Sequence, residues 1–279
     1  MRLRVLCILV LVFVLPLLAV TAYADTQMIG TAAPFVVLGA AGVTNTGPSV
    51  LTGNLAGSIG TPAITGFPPG TVIGAILPGG APATVFSDAT AAYNFAQGQL
   101  GAIPIVGSTL GGLTLTPGVY SLGAAQLTGT LILDAQGNNN AQWTFQIASS
   151  LTTASASTVQ VINAGSPGAF GGGITWAVTS AATLGTTTTF LGTIIAQAGV
   201  VLQTGATIGC GRAISLTASV TLDTNVLSNT CTVSAGTGGG GGTITPPGPL
   251  AVPEPGTLAL LSSGLAIGLL KRRKLRQVR

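Results

Sequence analysis

The sequence predicts an all-β fold, a β-solenoid of short strands with one α-helix packed alongside it. Three observations lead to this prediction. Only 5% of the 279 residues are charged and 5% are aromatic, while 42 are glycine, a composition typical of short strands joined by tight turns. Runs of alternating apolar and polar residues recur between glycine, proline, asparagine and serine. A weak repeat of about 20 residues fits a solenoid rung of three strands and three corners.

Residues 1–24 have the features of a secretory signal peptide. Two arginines precede an apolar run over residues 5–20, and Ala22-Tyr23-Ala24 supplies a cleavage site of the small-x-small type. We therefore expect a signal peptidase to cleave after residue 24, so that the mature chain begins at Asp25. The alternative is an uncleaved membrane anchor.

Residues 251–279 form a second targeting segment. Pro253, Glu254 and Pro255 precede an apolar run from Thr257 to Leu270, and a basic tail follows. A helix of about 14 residues rises about 21 Å, which is short against roughly 30 Å of hydrocarbon.

This order of elements closely resembles the PEP-CTERM sorting signal, with its short transmembrane helix. The resemblance implies recognition by an exosortase-type processing enzyme, and release or anchoring at the cell surface. Such proteins often accompany exopolysaccharide and biofilm matrix. An ordinary single-pass tail anchor is the alternative, and it would also leave the domain outside the cytoplasm.

Between the targeting segments we predict a folded domain over residues 25–235 and a Gly/Pro-rich linker over residues 236–250. Several strand-like runs of the domain alternate as half-buried strands do. The clearest runs are Leu113–Thr116, Gly129–Leu133, Gln142–Ile147, Thr158–Ile162, Ile174–Val178, Thr193–Ala196, Val200–Gln203 and Ser219–Asp223.

A Leu-x-Thr repeat underlies the rung length. It begins at Leu151, Leu184, Leu202 and Leu222. Stacked rungs would place Thr186, Thr204 and Thr224 in a ladder.

Residues 87–101 break the strand pattern and predict a helix. Ser87 or Asp88 would be its N-cap, and Ile103-Pro104 would stop it. The apolar residues with helical spacing are Ala89, Ala92, Tyr93, Ala96 and Leu100.

Charge and residue types exclude several functions. Most basic residues lie in the two targeting segments, and residues 25–250 contain one base, Arg212, against four aspartates. No basic stripe for nucleic acid can be built from one arginine. The chain contains no histidine, which removes His-based catalysis and the usual zinc sites.

The remaining carboxylates inside the domain are far apart in sequence. Paired carboxylates for glycoside hydrolysis could come only from Asp88, Asp134 and Asp223. We interpret Asp88 as a helix cap and the other two as strand-end turns. We therefore predict that the protein is not an enzyme and has no cofactor or metal.

Two cysteines remain after signal cleavage. Cys210 and Cys231 in an exported chain predict a disulfide, which would stabilise the fold by roughly 3 kcal/mol for a loop of about 20 residues. Two separate buried thiols are the alternative. Arg212 is expected to pair with Asp223 or to cap carbonyls.

Motifs throughout the domain are similar, in order, to those of the microbial ice-binding-like family. The similarity covers roughly residues 35–228. It implies an irregular right-handed β-solenoid of triangular section with one long helix alongside, and antifreeze activity through adsorption to ice. The matching motifs include Val43-Thr44-Asn45-Thr46-Gly47-Pro48, Leu113-Thr114-Leu115-Thr116-Pro117-Gly118-Val119-Tyr120 and Trp143-Thr144-Phe145-Gln146-Ile147.

The resemblance also implies an ice-binding motif, Thr-(Ala/Gly)-x-(Thr/Asn). Thr204-Gly205-Ala206-Thr207 fits this motif, while Thr186-Thr187-Thr188-Thr189 departs from it at the second position. Rungs about 4.8 Å apart would hold threonine methyls and hydroxyls in a rigid array. The candidate ice-binding residues are Thr186, Thr188, Thr204, Thr207 and Thr224.

Two other functions remain open. The sorting signal also fits a cell-surface or biofilm-matrix protein that adheres to exopolysaccharide and has no ice activity. Carbohydrate sites usually need exposed aromatic side chains, whereas Trp143 and Trp176 lie in strand patterns and are expected to be buried. A hydrolase on a β-helix would need clustered carboxylates, which this sequence barely supplies.

Overall fold

The computed structural model describes residues 29–230 except residues 59, 61–63 and 165–172. Three parallel β-sheets surround an apolar core, and the chain visits them in turn, so that each circuit is one rung of a three-sided solenoid. The predicted β-solenoid with one helix is therefore confirmed. The predicted signal peptide, linker and sorting segment lie outside the described residues. Among the residues that are described, no helix is long and apolar enough to span a membrane.

Sheet 1 has nine strands. In spatial order these are β7 (Ile76–Ala81), β4 (Asn54–Ser58), β1 (Phe35–Gly39), β22 (Ala213–Ser215), β19 (Thr193–Ala196), β16 (Ile174–Val178), β13 (Trp143–Ile147), β10 (Gly118–Leu122) and β8 (Ile103–Pro104).

Sheets 2 and 3 have seven and eight strands. Sheet 2 contains β11 (Ala125–Leu127), β14 (Leu151–Thr153), β17 (Ala182–Leu184), β20 (Val200–Leu202), β23 (Val220–Asp223), β2 (Val43–Thr46) and β5 (Ile64–Thr65). Sheet 3 contains β6 (Thr71–Ile73), β3 (Val50–Thr52), β24 (Val226–Ser228), β21 (Thr207–Gly209), β18 (Thr189–Leu191), β15 (Thr158–Ile162), β12 (Thr130–Asp134) and β9 (Thr114–Leu115).

The order of the rungs in space differs from their order in the chain. Strands β1, β2 and β3, which come first in the sequence, pair with β22, β23 and β24 of the last rung. The stack therefore has a seam at which the first rung of the chain packs on the last. The helix connects the rungs beyond this seam to β8 at the opposite end of sheet 1.

Aromatic side chains fill the middle of the core. The ring of Phe145 stacks on Trp176 with centroids 3.9 Å apart, and Trp176 contacts Phe190 at 4.9 Å. The indole N–H of Trp176 donates to the Leu191 carbonyl. Trp143 and Trp176 are 1% and 0% exposed, so the expectation that both are buried is confirmed. Stacked rings of this kind tie successive rungs together.

The α-helix, α1, runs over Ala83–Gly98, so the predicted bounds of 87–101 are wrong. It begins at Ala83 with Pro82 in the N-cap position, because Val85 is buried against the sheet. Asp88 lies inside the helix and is not its cap. The Asp88 carboxylate accepts hydrogen bonds from the backbone N–H and the hydroxyl of Thr31, both at 2.7 Å. Asp88 therefore fastens α1 to the short 3-10 helix over Gly30–Ala32.

Helix α1 packs on the outer face of sheet 1. Ala177, Ile195 and Ile214 are in register on neighbouring strands and contact the apolar side of the helix. Gln146 continues this column and donates to the carbonyls of Ala96 and Gln99 at the end of the helix. Sheet 1 is thus covered over much of both faces, and sheets 2 and 3 present their outer faces to solvent.

Candidate functional site

Sheet 2 presents one column of outward-facing residues, nearly all of them threonine. Because side chains alternate across a strand, the middle residue of each tripeptide points outward between two buried neighbours. These outward residues are paired in register from rung to rung. In spatial order they are Thr109, Gln126, Thr152, Thr183, Val201, Thr221, Thr44 and Thr65.

Six of these eight positions hold threonine, and all eight side chains are exposed or half-buried. At about 4.8 Å per rung the column is about 34 Å long. We call this row the sheet 2 threonine column.

A row of small residues lies beside the column. Successive backbone hydrogen bonds stack Ser150, Ala181, Gly199, Ser219 and Gly42 at the start of the strands. None of these side chains is larger than a hydroxymethyl group. On this side of the column the outer face is therefore flat, and side chains there do not hinder the approach of a planar surface to the threonines.

Sheet 3 has a second, less regular column. Thr130, Thr158, Thr189 and Thr207 are in register, and the row then continues through Val226, Val50 and Thr71. The next outward positions on these strands include Ile132, Gln160 and Ser228, and Asp134 lies at the end of β12. This face is less even than the sheet 2 column, and each of the two sheets has one carboxylate at a strand end, Asp134 on β12 and Asp223 on β23.

The predicted ladder of Thr186, Thr204 and Thr224 lies at the corner between sheets 2 and 3, and it is only partly in register. The N–H of Thr187 donates to the Thr204 carbonyl, which places Thr186 level with Thr204. The N–H of Gly205, however, donates to the Asp223 carbonyl, which places Thr204 level with Asp223. Asp223 therefore takes the place expected for Thr224, because the last rung is one residue shorter at this corner. The hydroxyls of Thr204 and Thr224 both donate to the Asp223 carboxylate.

The structure separates the other two predicted residues. Thr188 is 0% exposed, and its hydroxyl bonds to that of Thr153 at 2.7 Å inside the corner. The prediction of Thr188 as a surface residue is therefore wrong, since a four-threonine run cannot turn every side chain outward. Thr207 lies on the outer face of sheet 3, in register with Thr189.

Sequence reasoning missed the sheet 2 threonine column because it aligned the repeat on leucine. Leu184 and Leu202 end their strands and Leu222 is the last but one residue of β23, whereas Leu151 begins its strand and pairs with Ala182. Aligning the strands on a central residue between two apolar ones would have brought Thr183, Val201 and Thr221 together. Thr44 and Thr109 join the column only through pairings that are distant in the chain.

The charged residues that the structure describes have structural partners within the domain. The hydroxyl and N–H of Thr31 lower the pKa of the Asp88 carboxyl below its usual value. The Gln136 N–H and then the Asn163 amide do the same for the pKa of Asp134, which lies at a turn as predicted. Arg212 is buried, and its guanidinium donates to the Ala33 carbonyl and the Thr193 hydroxyl, so the carbonyl-capping alternative is confirmed.

Cys210 is disulfide-bonded. Its predicted partner, Cys231, lies outside the described residues, so the Cys210–Cys231 pairing stays a prediction. Within the described part of the chain, no group of three or more His, Cys, Asp or Glu side chains is placed to hold a metal ion.

Together, these features define a β-solenoid whose exposed faces carry threonine in register. Residues 37–228 match the profile of the family described as ice-binding-like, and the chain belongs to that family. The resemblance found in the sequence is thus confirmed over nearly the same range. Residues 251–274 match the PEP-CTERM protein-sorting motif, which indicates export and sorting to the cell surface.

Relatives of known name support this assignment. The chain is 43% identical to an ice-binding protein of Nostoc sp. (strain HG1) over 254 residues, which cover 90% of this chain and 88% of the relative. The crystal structure of an ice-binding protein from the Antarctic ascomycete Antarctomyces psychrotrophicus is similar at a TM-score of 0.65 and 34% identity, over 72% of this chain and 96% of that one. An ice-binding protein from an Antarctic biological consortium gives a TM-score of 0.64 at 36% identity, over 71% and 90% of the two chains.

Proposed function

We propose that this domain adsorbs to ice through the sheet 2 threonine column. One observation carries the proposal, namely the eight outward positions paired in register, of which six are threonine. Each threonine offers a methyl that orders the water beside it and a hydroxyl that anchors that water. The relatives named above, which are called ice-binding proteins, support ice as the ligand.

The rigidity of the fold strengthens such binding. The column residues are flanked in their strands by residues whose side chains point into the core. Leu151, Leu184 and Leu222 are examples, and all three are fully buried. Little conformational entropy is lost when a preorganised surface adsorbs, so many weak contacts can add up. No charged side chain is a member of the column, which avoids the strongly bound hydration shell of an ion.

Sheet 2 is favoured over sheet 3 for two reasons. The sheet 3 column has adjacent valines at Val226 and Val50, and its neighbouring positions include Ile132 and Gln160. On the side where its strands begin, the sheet 2 column is bordered by glycine, alanine and serine. Of the predicted residues, Thr186 and Thr204 border sheet 2 at its corner and are proposed to extend the face, whereas Thr207 and Thr224 are not part of it.

We also propose a path for the protein to its site of action. A signal peptidase removes residues 1–24, and an exosortase-type enzyme recognises the segment over residues 251–279 while that segment holds the chain in the membrane. The mature domain then acts outside the cell by binding, without catalysis or cofactor.

A matched pair of variants tests the proposal. Thr183 and Thr189 are half-buried outward residues of β17 and β18, in the same rung but on different sheets. Thermal hysteresis and inhibition of ice recrystallisation should be lost in Thr183→Tyr and retained in Thr189→Tyr. The reverse pattern would move the site to sheet 3. A folded wild-type domain without ice activity would refute ice binding and favour adhesion to matrix polysaccharide.

A further inference from the structure

Both ends of the described domain lie at one corner of the solenoid. Strand β24 ends at Ser228, and the side chain of the next residue, Asn229, donates to the Pro34 carbonyl at 3.1 Å, just before β1 begins at Phe35. The backbone N–H of Asn229 bonds to the Thr52 carbonyl in the neighbouring rung. The chain therefore enters and leaves the domain where sheet 3 passes into sheet 1.

This exit corner is the one opposite sheet 2. Each rung runs from sheet 1 through sheet 2 to sheet 3, so the corners that border sheet 2 are the two others, near residues 40–42 and 47–49. The core, with Leu222 and Leu227 on its two sides, separates the exit from the sheet 2 threonine column. The column faces away from the point at which the chain continues beyond Thr230.

From this geometry we infer that the protein is an ice adhesin, which holds the cell that displays it to an ice surface. This inference rests on the proposed function of sheet 2. The matched sorting motif begins at residue 251, about 20 residues beyond Thr230, a distance that spans at most about 70 Å. A chain that continues from this corner does not cover the sheet 2 threonine column, so a molecule attached through that segment keeps the column free to contact ice.

Display on a cell changes what the domain needs for function. Many copies on one cell contact the same crystal, and after the first contact the others bind at a high effective concentration. Modest adsorption per domain then suffices to hold a cell. A tether leaving from sheet 2 itself would instead lie between the threonines and the ice.

The full chain, expressed in a host whose envelope carries an exosortase, tests the inference. Cells are exposed to a slowly growing ice front, and the fraction of cells retained in the ice is counted. We expect retention of cells with the wild-type chain and with Thr189→Tyr, and exclusion of cells with Thr183→Tyr at equal surface amounts.

A labelling experiment on the same cells tests which side of the domain contacts the ice. Asn140 is exposed at the exit corner, and Ser155 is exposed at the corner between sheets 2 and 3. A bulky polyethylene glycol maleimide attached at Ser155→Cys should reduce retention in ice several-fold, whereas the same label at Asn140→Cys should leave it unchanged. Equal effects of the two labels would show that the exit corner is not remote from the ice contact, which would overturn the inference.

Failure of the inference is distinguishable from failure of the proposed function. If the purified wild-type protein has thermal hysteresis but is found in the medium while cells are excluded from ice, the adhesin inference is wrong and the domain is a released antifreeze. If the purified protein has no ice activity, the proposed function fails and the inference fails with it.

Discussion

Thr44 and Thr221 lie opposite each other in register on neighbouring strands of sheet 2, although they belong to the first and the last rung in chain order. This pairing carries the threonine column across the seam of the solenoid. Without it, Thr44 and Thr65 would be separated from the rest of the column. The length of the exposed face therefore depends on the packing of the first rung on the last.

Asn225 lies at the seam, and its side chain joins the last rung to the rung before it, which leads to a first prediction. This side chain is fully buried, donates to the carbonyls of Gln203 and Ala206, and accepts from the Asp223 N–H, while its own backbone N–H donates to the Ser49 hydroxyl. Asn225→Ala removes the three hydrogen bonds of this buried amide, including the one to the Ala206 carbonyl, and should lower the free energy of unfolding by about 3 kcal/mol. Asn54→Ala, which removes one hydrogen bond to the Ala75 N–H, should cost about 1 kcal/mol. Urea unfolding compares the two, and equal losses would contradict this role of Asn225.

Helix α1 depends on Gln146 at its end. The Gln146 amide donates to the Ala96 carbonyl at 3.0 Å and to the Gln99 carbonyl at 2.8 Å. Carbonyls at the C-terminal end of a helix have no partner within the helix, so Gln146 supplies one. Gln146→Ala should lower stability by about 1–3 kcal/mol and speed hydrogen exchange in the last turn of the helix. Gln160→Ala, on the outer face of sheet 3, is the control and should change stability by less than about 0.5 kcal/mol. Unchanged exchange in the Gln146 variant would contradict the assigned contact.

Stability should depend on pH only in acid. The pKa values of Asp88 and Asp134 are lowered from 3.8 by hydrogen bonds that exist in the folded state. Their stabilisation is therefore present above that value and is lost as the pH falls through the lower folded values. The Tm should be constant from pH 8 to about pH 5, because the chain has no histidine, and should drop below about pH 4. The double variant Asp88→Asn, Asp134→Asn should lose most of this drop, and a Tm that varies between pH 6 and 8 would contradict the prediction.

The predicted Cys210–Cys231 disulfide can be tested by replacing Cys231. Cys231→Ser should lower the free energy of unfolding by roughly 3 kcal/mol in non-reducing buffer and leave ice activity near 0 °C unchanged, since the sheet 2 column lies elsewhere. Thiol titration of the unfolded, unreduced wild-type domain provides the check. Two titratable thiols in that sample would show separate cysteines and refute the pairing.

The sequence predicted local structure better than it predicted register. Strands such as β15 and β16 have the predicted bounds, because alternation and flanking turn residues are local signals. The start of α1 was misplaced because Asp88 looked like a cap, whereas its partner, Thr31, is distant in the chain.

The site was harder to predict for the same physical reason. The prediction that Thr224 lies level with Thr204 assumed rungs of equal length. The last rung has one residue fewer at this corner, so Asp223 lies level with Thr204 instead. The pairing of Thr44 with Thr221 depends on the seam, which leaves no periodic signal in the sequence.

Direct adsorption to a single ice crystal tests the central claim best. Fluorescently labelled wild-type domain is compared with Thr152→Tyr and Thr221→Tyr in the sheet 2 column, and with Thr158→Tyr, which lies in the same rung as Thr152 but on sheet 3. We predict that the wild type and Thr158→Tyr label the crystal, while the two sheet 2 variants remain folded and do not. Labelling by both sheet 2 variants together with loss of labelling in Thr158→Tyr would contradict the assignment of the ice-binding face to sheet 2.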